Sequence, residues 1–219
     1  MKTYELGLAI SLMGATVSAV DIGAILNPTI AAPQTTVQFA IPAADDNTIG
    51  AAVEDFRSPN SIGSIAIGLA EGTRTIDGGT TPGYDGHTDP GNAASNVGTF
   101  SCQVCVKRTP AAADEELLRK QLRPQLEKLR ISHPTLTRFE AWIALDIQVQ
   151  APAVLPGFLA ALPENRARGL DGIVDARVSG FYRTDGTLDA PGFGNDLARL
   201  RADQMRRSRA IATAYAALP

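Results

Sequence analysis

Glu71 carries the clearest chemistry in this chain, because a single carboxylate ends an apolar run. Ile62, Ile65, Ala66 and Leu69 recur at i, i+3, i+4 and i+7, the spacing of a helix with one buried face. Asn60 or Ser61 can cap its start, and Gly72 can close it directly after Glu71. Glu71 then stands at the negative pole of the helix with apolar neighbours behind it, and both effects disfavour the ionised form. A carboxylic acid kept protonated near neutrality is what general acid catalysis requires. The alternative is a Glu at an exposed helix end, with Gly72 as its cap.

The stretch that follows supplies more polar groups. Asp77 to Asn92 is rich in Gly, Thr, Asp and Pro and has almost nothing to bury. It is long for a plain connection, and such loops are usually functional or unstructured. It contains the carboxylates Asp77, Asp85 and Asp89, the phenol of Tyr84, and His87, one of two histidines in the chain.

Glu71-Gly72-Thr73-Arg74, then an Asp, then Gly86-His87-Thr88 resemble the active-site signature of phage-type lysozymes. Those enzymes carry a Glu-Gly-x-Arg start, an Asp in a Gly-rich hairpin and a Gly-His-Thr strand. Ala70-Glu71-Gly72-Thr73 also looks like the lambda-type endolysins and lytic transglycosylases, which work with one Glu. Gly98 to Gln103 is loosely similar to the Gly-x-x-Gln element of lytic transglycosylases. The block from Gly86 to Gln103 is also similar to uncharacterised proteins found in cyanobacteria, which imply no function. The likeness spans residues 60 to 105 and departs from the phage pattern in two respects. Glu71 and His87 are only 16 residues apart, and no Thr-Ile-Gly-Tyr string precedes Gly86.

The resemblance implies a mainly α, lysozyme-like fold of α+β type, a helical bundle with a small loop or β-hairpin lobe. Residues 56–219 would form that helical domain and residues 1–55 an N-terminal segment. It implies cleavage of peptidoglycan or a related polysaccharide, with Glu71 protonating the glycosidic oxygen. Asp77, or failing that Asp89, would stabilise the cationic transition state or position a water. With neither in place, a single-acid transglycosylase route remains. Arg74, Tyr84, His87, Thr88, Asn92 and Gln103 would contact the sugar, although His87 can equally brace the loop through a backbone carbonyl.

Composition bounds these readings. The chain has 219 residues, 44% apolar and 20% charged, an ordinary globular balance. A formal net charge of −3 argues for neither nucleic acid nor a membrane surface. Residues 1–104 hold three Lys/Arg against ten Asp/Glu, and residues 105–219 hold seventeen against thirteen. An acidic half with the loop and a basic helical half suit a cleft for a partly anionic polymer, or arginine simply decorates the helices. Cys102 and Cys105 form one Cys-x-x-Cys, half a zinc site at best, and are read as a local disulfide or two unreactive thiols. Gly72 to Gly79 fits neither dinucleotide nor P-loop spacing, and no cofactor is expected. The oligomeric state is not fixed by any of these features.

Met1 to Ala19 has the length of a signal peptide but little positive charge and an intruding Glu5, and it is too short for stable membrane insertion. Cleavage there would send the protein to the extracellular or periplasmic space. Thr35 to Ile41 alternates as a short strand, and Val97 to Val106 reads as a strand or short helix. Beyond Thr109-Pro110 the chain reads as helices, with Pro124 splitting the first run, and further helices over 136–150, 156–162, 170–181 and 196–218. Asp146 is read as polar surface, with reach into a cleft as its alternative, and Arg199, Arg201, Arg206, Arg207 and Arg209 are assigned to the outside of the last helix. Two further functions stand beside glycan cleavage. One is a non-catalytic glycan-binding or structural protein on the same scaffold; the other is a metal module using Asp85, His87, Asp89 and Asn92.

Overall fold

A computed structural model describes residues 47–89 and 93–218. Within them the chain is mostly helical, with one two-stranded antiparallel sheet. The first elements are α1 (Ala52–Asp55) and α2 (Ile62–Glu71). Gly72 closes α2 at φ +79°, a left-handed cap that costs glycine little, and its N–H satisfies a terminal carbonyl. The polar flap follows. It holds the one-turn helix α3 (Pro82–Asp85) and the hairpin of β1 (His87–Thr88) with β2 (Ser95–Asn96), in register His87 to Asn96 and Thr88 to Ser95.

The region from Val97 to Val106 is neither a full strand nor a helix. Val97 pairs with Cys102 as an isolated bridge, and a single 3-10 turn covers Gln103–Cys105, closed by a Cys102–Cys105 disulfide. The turn leads to α4 (Pro110–Leu117), whose start is capped by the Thr109 hydroxyl accepting from the Ala112 N–H. A π-turn over Leu118–Leu122 carries α4 into α5 (Arg123–Ser132). Its cause is Pro124, which lacks an N–H and crowds the preceding turn. Arg123 therefore reaches back five residues to the Leu118 carbonyl, and the helix widens instead of breaking. Leu118, Leu122, Leu126 and Leu129 still face the core, as the leucine spacing predicts.

The remaining helices are α6 (Arg138–Gln150), α7 (Leu155–Asn165), α8 (Gly169–Ser179) and α9 (Leu197–Ala216). α6 starts with a full capping box between Thr137 and Glu140 and lies at the centre, buried at every residue from Phe139 to Ile147. The Trp142 ring meets Phe56 at 6.3 Å and Tyr215 at 5.1 Å, both edge to face. α2 packs along α9, and α7 along α8. Among the described residues no helix is long and apolar enough to cross a membrane.

Residues just ahead of the boundary expected at 56 pack with the helical body. Ile49, Ala52 and Phe56 belong to the apolar core, and the Ile49 N–H donates to the Leu136 carbonyl at 3.1 Å. Residues 47–55 are therefore part of the helical body. The expectations for a signal peptide over 1–19 and a strand over 35–41 lie outside the described residues.

Asp55 joins this added segment to α6. It is buried, and it accepts from Trp142 Nε1 at 2.8 Å and from Arg138 Nε at 2.6 Å. Asp55→Ala removes the acceptor of a buried indole N–H and one carboxylate partner of Arg138, so it should cost about 3–5 kcal/mol. Urea unfolding of the variant against wild type measures this loss.

Candidate functional site

Glu71 sits where α2 gives way to the flap, as expected, but it is not an isolated acid. Its Oε1 accepts from Nη2 of Arg207 on α9, 136 residues further along the chain. Oε2 has no hydrogen-bond partner among the described residues, and the side chain keeps 12% of its surface exposed. One oxygen is clamped and the other carries no hydrogen bond among the described residues. Arg206, the neighbour of Arg207, donates to the Ala70 carbonyl at 2.9 Å and so satisfies another group at the end of α2.

Arg207 is shared. Its Nη2 also donates to Asp146 Oδ1 at 2.6 Å, and its Nε to Asp146 Oδ2 at 3.1 Å. Asp146 on α6 in turn accepts from Arg177 Nη2 of α8 at 2.7 Å, and both of those side chains are 0% exposed. Arg177 Nε donates to Gln204 Oε1 at 2.6 Å. Burial opposes the Asp146 charge, but Arg207 and Arg177 outweigh it and hold the carboxyl below its ordinary range. Burial likewise opposes the Arg207 charge, and Asp146 with Glu71 raises its proton affinity above the ordinary arginine value. Arg177 is lowered, first by burial and then by the charge of Arg207.

A second buried cluster ties the flap to the body. Arg74 lies under the flap and donates from Nε to Thr99 Oγ1 at 2.8 Å, from Nη1 to the Gly78 carbonyl at 3.0 Å, and from Nη2 to Asn60 Oδ1 at 3.1 Å. Its guanidinium carbon lies 5.0 Å from the centre of the Tyr84 ring. The Thr99 N–H and hydroxyl both donate to Asp114 at 2.7 Å. Burial pushes the Asp114 carboxyl upward, against the Thr99 hydrogen bonds and the Arg74 charge. Tyr84 is also raised, by burial and then by the charge of Asp114.

The expected sugar contacts divide accordingly. Arg74 is not free to bind a ligand, because it is buried and its donors are taken up by the flap and the body. Tyr84 keeps part of its surface, with one ring face toward Arg74. His87 Nδ1 lies 2.9 Å from the Gly83 carbonyl, the bracing role foreseen as its alternative. Thr88 and Gln103 are exposed, and Asn92 lies outside the described residues. Asp77 is exposed, and its Oδ1 is engaged by the Thr75 hydroxyl and by the Gly79 N–H at 3.3 Å. Those two bonds, Thr75 first, hold its carboxyl below the usual range. Asp89 shapes the hairpin, its N–H donating to Ala94 O and its carbonyl accepting from Ala93 N, each at 2.8 Å. Among the described residues Asp85, His87 and Asp89 do not gather into a cluster able to hold a metal.

Asp146 and Arg207 correct the surface assignments made from charge alone. A signal was present in the helical spacing. Phe139, Ile143 and Asp146 stand at i, i+4 and i+7, while Leu200, Gln204, Arg207 and Ile211 form one stripe on α9. A charge of each sign on two apolar stripes points to an internal pair.

No family model, curated protein or solved structure matches this chain.

Asp146 generates a pH prediction. An unfolded carboxyl titrates near its ordinary value of 3.8, and the folded Asp146 titrates below it. The stabilisation is therefore complete above that ordinary value and lost as pH falls toward the lower folded one. Asp146→Asn should cost about 3–5 kcal/mol at pH 7, since it leaves two buried guanidinium groups short of charge. The gap to wild type should narrow below pH 4. Urea titrations from pH 7 down to 3 test both outcomes.

Proposed function

We propose that this chain cleaves a polysaccharide of the peptidoglycan type on a lysozyme-like helical scaffold, with Glu71 as its general acid. The observation that carries the reading is the two-sided setting of the Glu71 carboxylate. Arg207 fixes Oε1, and no hydrogen bond among the described residues engages Oε2, on a side chain that keeps 12% of its surface. A carboxyl clamped through one oxygen holds the other in a fixed direction, which removes an orientational cost from proton transfer. Oε2 delivers the proton to the glycosidic oxygen and takes one back from the attacking hydroxyl, so the same group serves as acid and then base.

A single-acid route fits this site better than a carboxylate pair. Asp77 spends one oxygen on its own turn, and the backbone of Asp89 is built into the hairpin. Tyr84, His87, Thr88 and Gln103 offer rings and hydrogen-bonding groups for a sugar chain laid along the flap. Arg74 supports that surface from beneath and is not part of it.

The non-catalytic reading, a glycan-binding or structural protein, draws on the same ion pair. Arg207 balances Glu71 within a buried network, a role that needs no proton transfer.

Glu71→Gln keeps the shape of the side chain and can accept from Arg207 through its amide oxygen. It should abolish clearing of a bacterial cell-wall suspension while leaving the cooperative unfolding transition in place. A variant as active as wild type ends the proposal. Wild type without clearing activity, but retained on wall fragments in a pull-down, supports the binding reading.

A further inference from the structure

We propose that the Cys102–Cys105 disulfide is a redox device that fixes the flap when oxidised and releases it when reduced. This goes beyond glycan cleavage and does not depend on Glu71 being catalytic.

The flap's polar ties converge on the short loop from Val97 to Cys102. Thr73 Oγ1 donates to the Thr99 carbonyl at 2.7 Å, and Arg74 Nε donates to the Thr99 hydroxyl at 2.8 Å. The Gly98 N–H donates to the Tyr84 carbonyl at 2.9 Å. Thr99 then passes the connection to α4 through both oxygens of Asp114. Among the described residues, the loop is one of two places where flap and body meet in polar contact, the other being Arg74, which joins Gly78 to Asn60.

Gly98 suits the left-handed backbone this loop requires, whereas Ser101 does not. Gly98 has φ +80°, and a Cβ there would lie 2.5 Å from Asp114 Oδ1. Ser101 has φ +50°, although it carries a side chain, and its hydroxyl is buried without a hydrogen-bond partner. Such backbone persists only where its surroundings over-determine it. The residue after Ser101 is Cys102, whose N–H closes the loop on the Val97 carbonyl at 2.9 Å and whose sulfur is bonded to Cys105. The covalent bond therefore holds the C-terminal end of a strained loop.

The disulfide spans a single 3-10 turn at the surface. Both cysteines are buried, while Gln103 and Val104 between them are exposed. Opening that one turn brings the sulfurs to solvent. A dithiol reductant then attacks one sulfur with its thiolate and forms a mixed disulfide, and its second thiol displaces the remaining cysteine. The cystine gains two electrons and two protons, and the reductant leaves as its own disulfide. With Cys102 free, Ser101 can relax to negative φ, and the Thr99 ties to Thr73, Arg74 and Asp114 lose their fixed geometry.

Amide hydrogen exchange on the intact chain tests this, with dithiothreitol as the reductant and thiol labelling to score the redox state. Reduction should speed exchange at Thr81, Gly98 and Cys102 by about tenfold or more and leave α6 and α9 unchanged. Re-oxidation should restore protection, and the double variant Cys102→Ser, Cys105→Ser should match the reduced protein. Equal flap protection in both states overturns the proposal. So does a disulfide that stays closed to dithiothreitol under native conditions. Loss of protection in α6 and α9 along with the flap also overturns it, because the bond is then a staple for the whole fold.

Discussion

Arg207 is the group on which the arrangement of the helical body turns. One guanidinium binds both oxygens of Asp146 on α6 and one oxygen of Glu71 at the end of α2. Arg177 adds the balancing positive charge from α8. Two carboxylates and two guanidiniums thus meet inside a helical core, where an unpaired member would be heavily penalised. Apolar stripes alone allow neighbouring helices to slide by a turn at modest cost. A buried charge network does not, since any slide leaves a charge unmatched. The pose of Glu71 follows from this constraint on the helices more than from the residues around it in sequence.

Body and flap are stabilised by different means. The body buries aliphatic and aromatic side chains from most of its helices, with α6 at the centre. The flap has little to bury and depends on Arg74, Thr99 and Asp114 for its attachment. Burial gives bulk stability that survives small shifts, whereas hydrogen bonds between charged and polar groups depend on geometry and fail together. Among the described residues, the segment beside Glu71 is therefore one that loosens readily without loss of the core.

Much of the helical layout was legible from spacing. The cap at Gly72, the leucine row through Pro124 and the positions of α6, α8 and α9 all follow from periodicity and cap chemistry, but the buried face of α2 does not: Ile62, Ile65 and Leu69 are only partly buried, and Gly63, Ala66, Ile67 and Ala70 face the core. The internal charges were harder to see. Arginine on a helix usually marks solvent, so charge alone groups Arg207 with its exposed neighbours although it continues the stripe of Leu200 and Gln204. Arg74 looked like a ligand-binding arginine beside a catalytic motif, and its burial depends on Thr99, Asn60 and Gly78, groups distant or unremarkable in sequence. Residues 47–55 were hidden for a related reason: a four-residue helix has too few turns to show a period.

Trp142 is the single tryptophan of the chain, and it sits where three parts of the body meet. Phe56 follows α1, Tyr215 comes from α9, and the indole N–H is held by Asp55. The protein thus carries one intrinsic fluorophore in a fully dry aromatic nest, with a carboxylate against its nitrogen. Its emission reads the integrity of the helical interior and is blind to the flap. A change in this protein that leaves the tryptophan spectrum untouched has happened at the periphery.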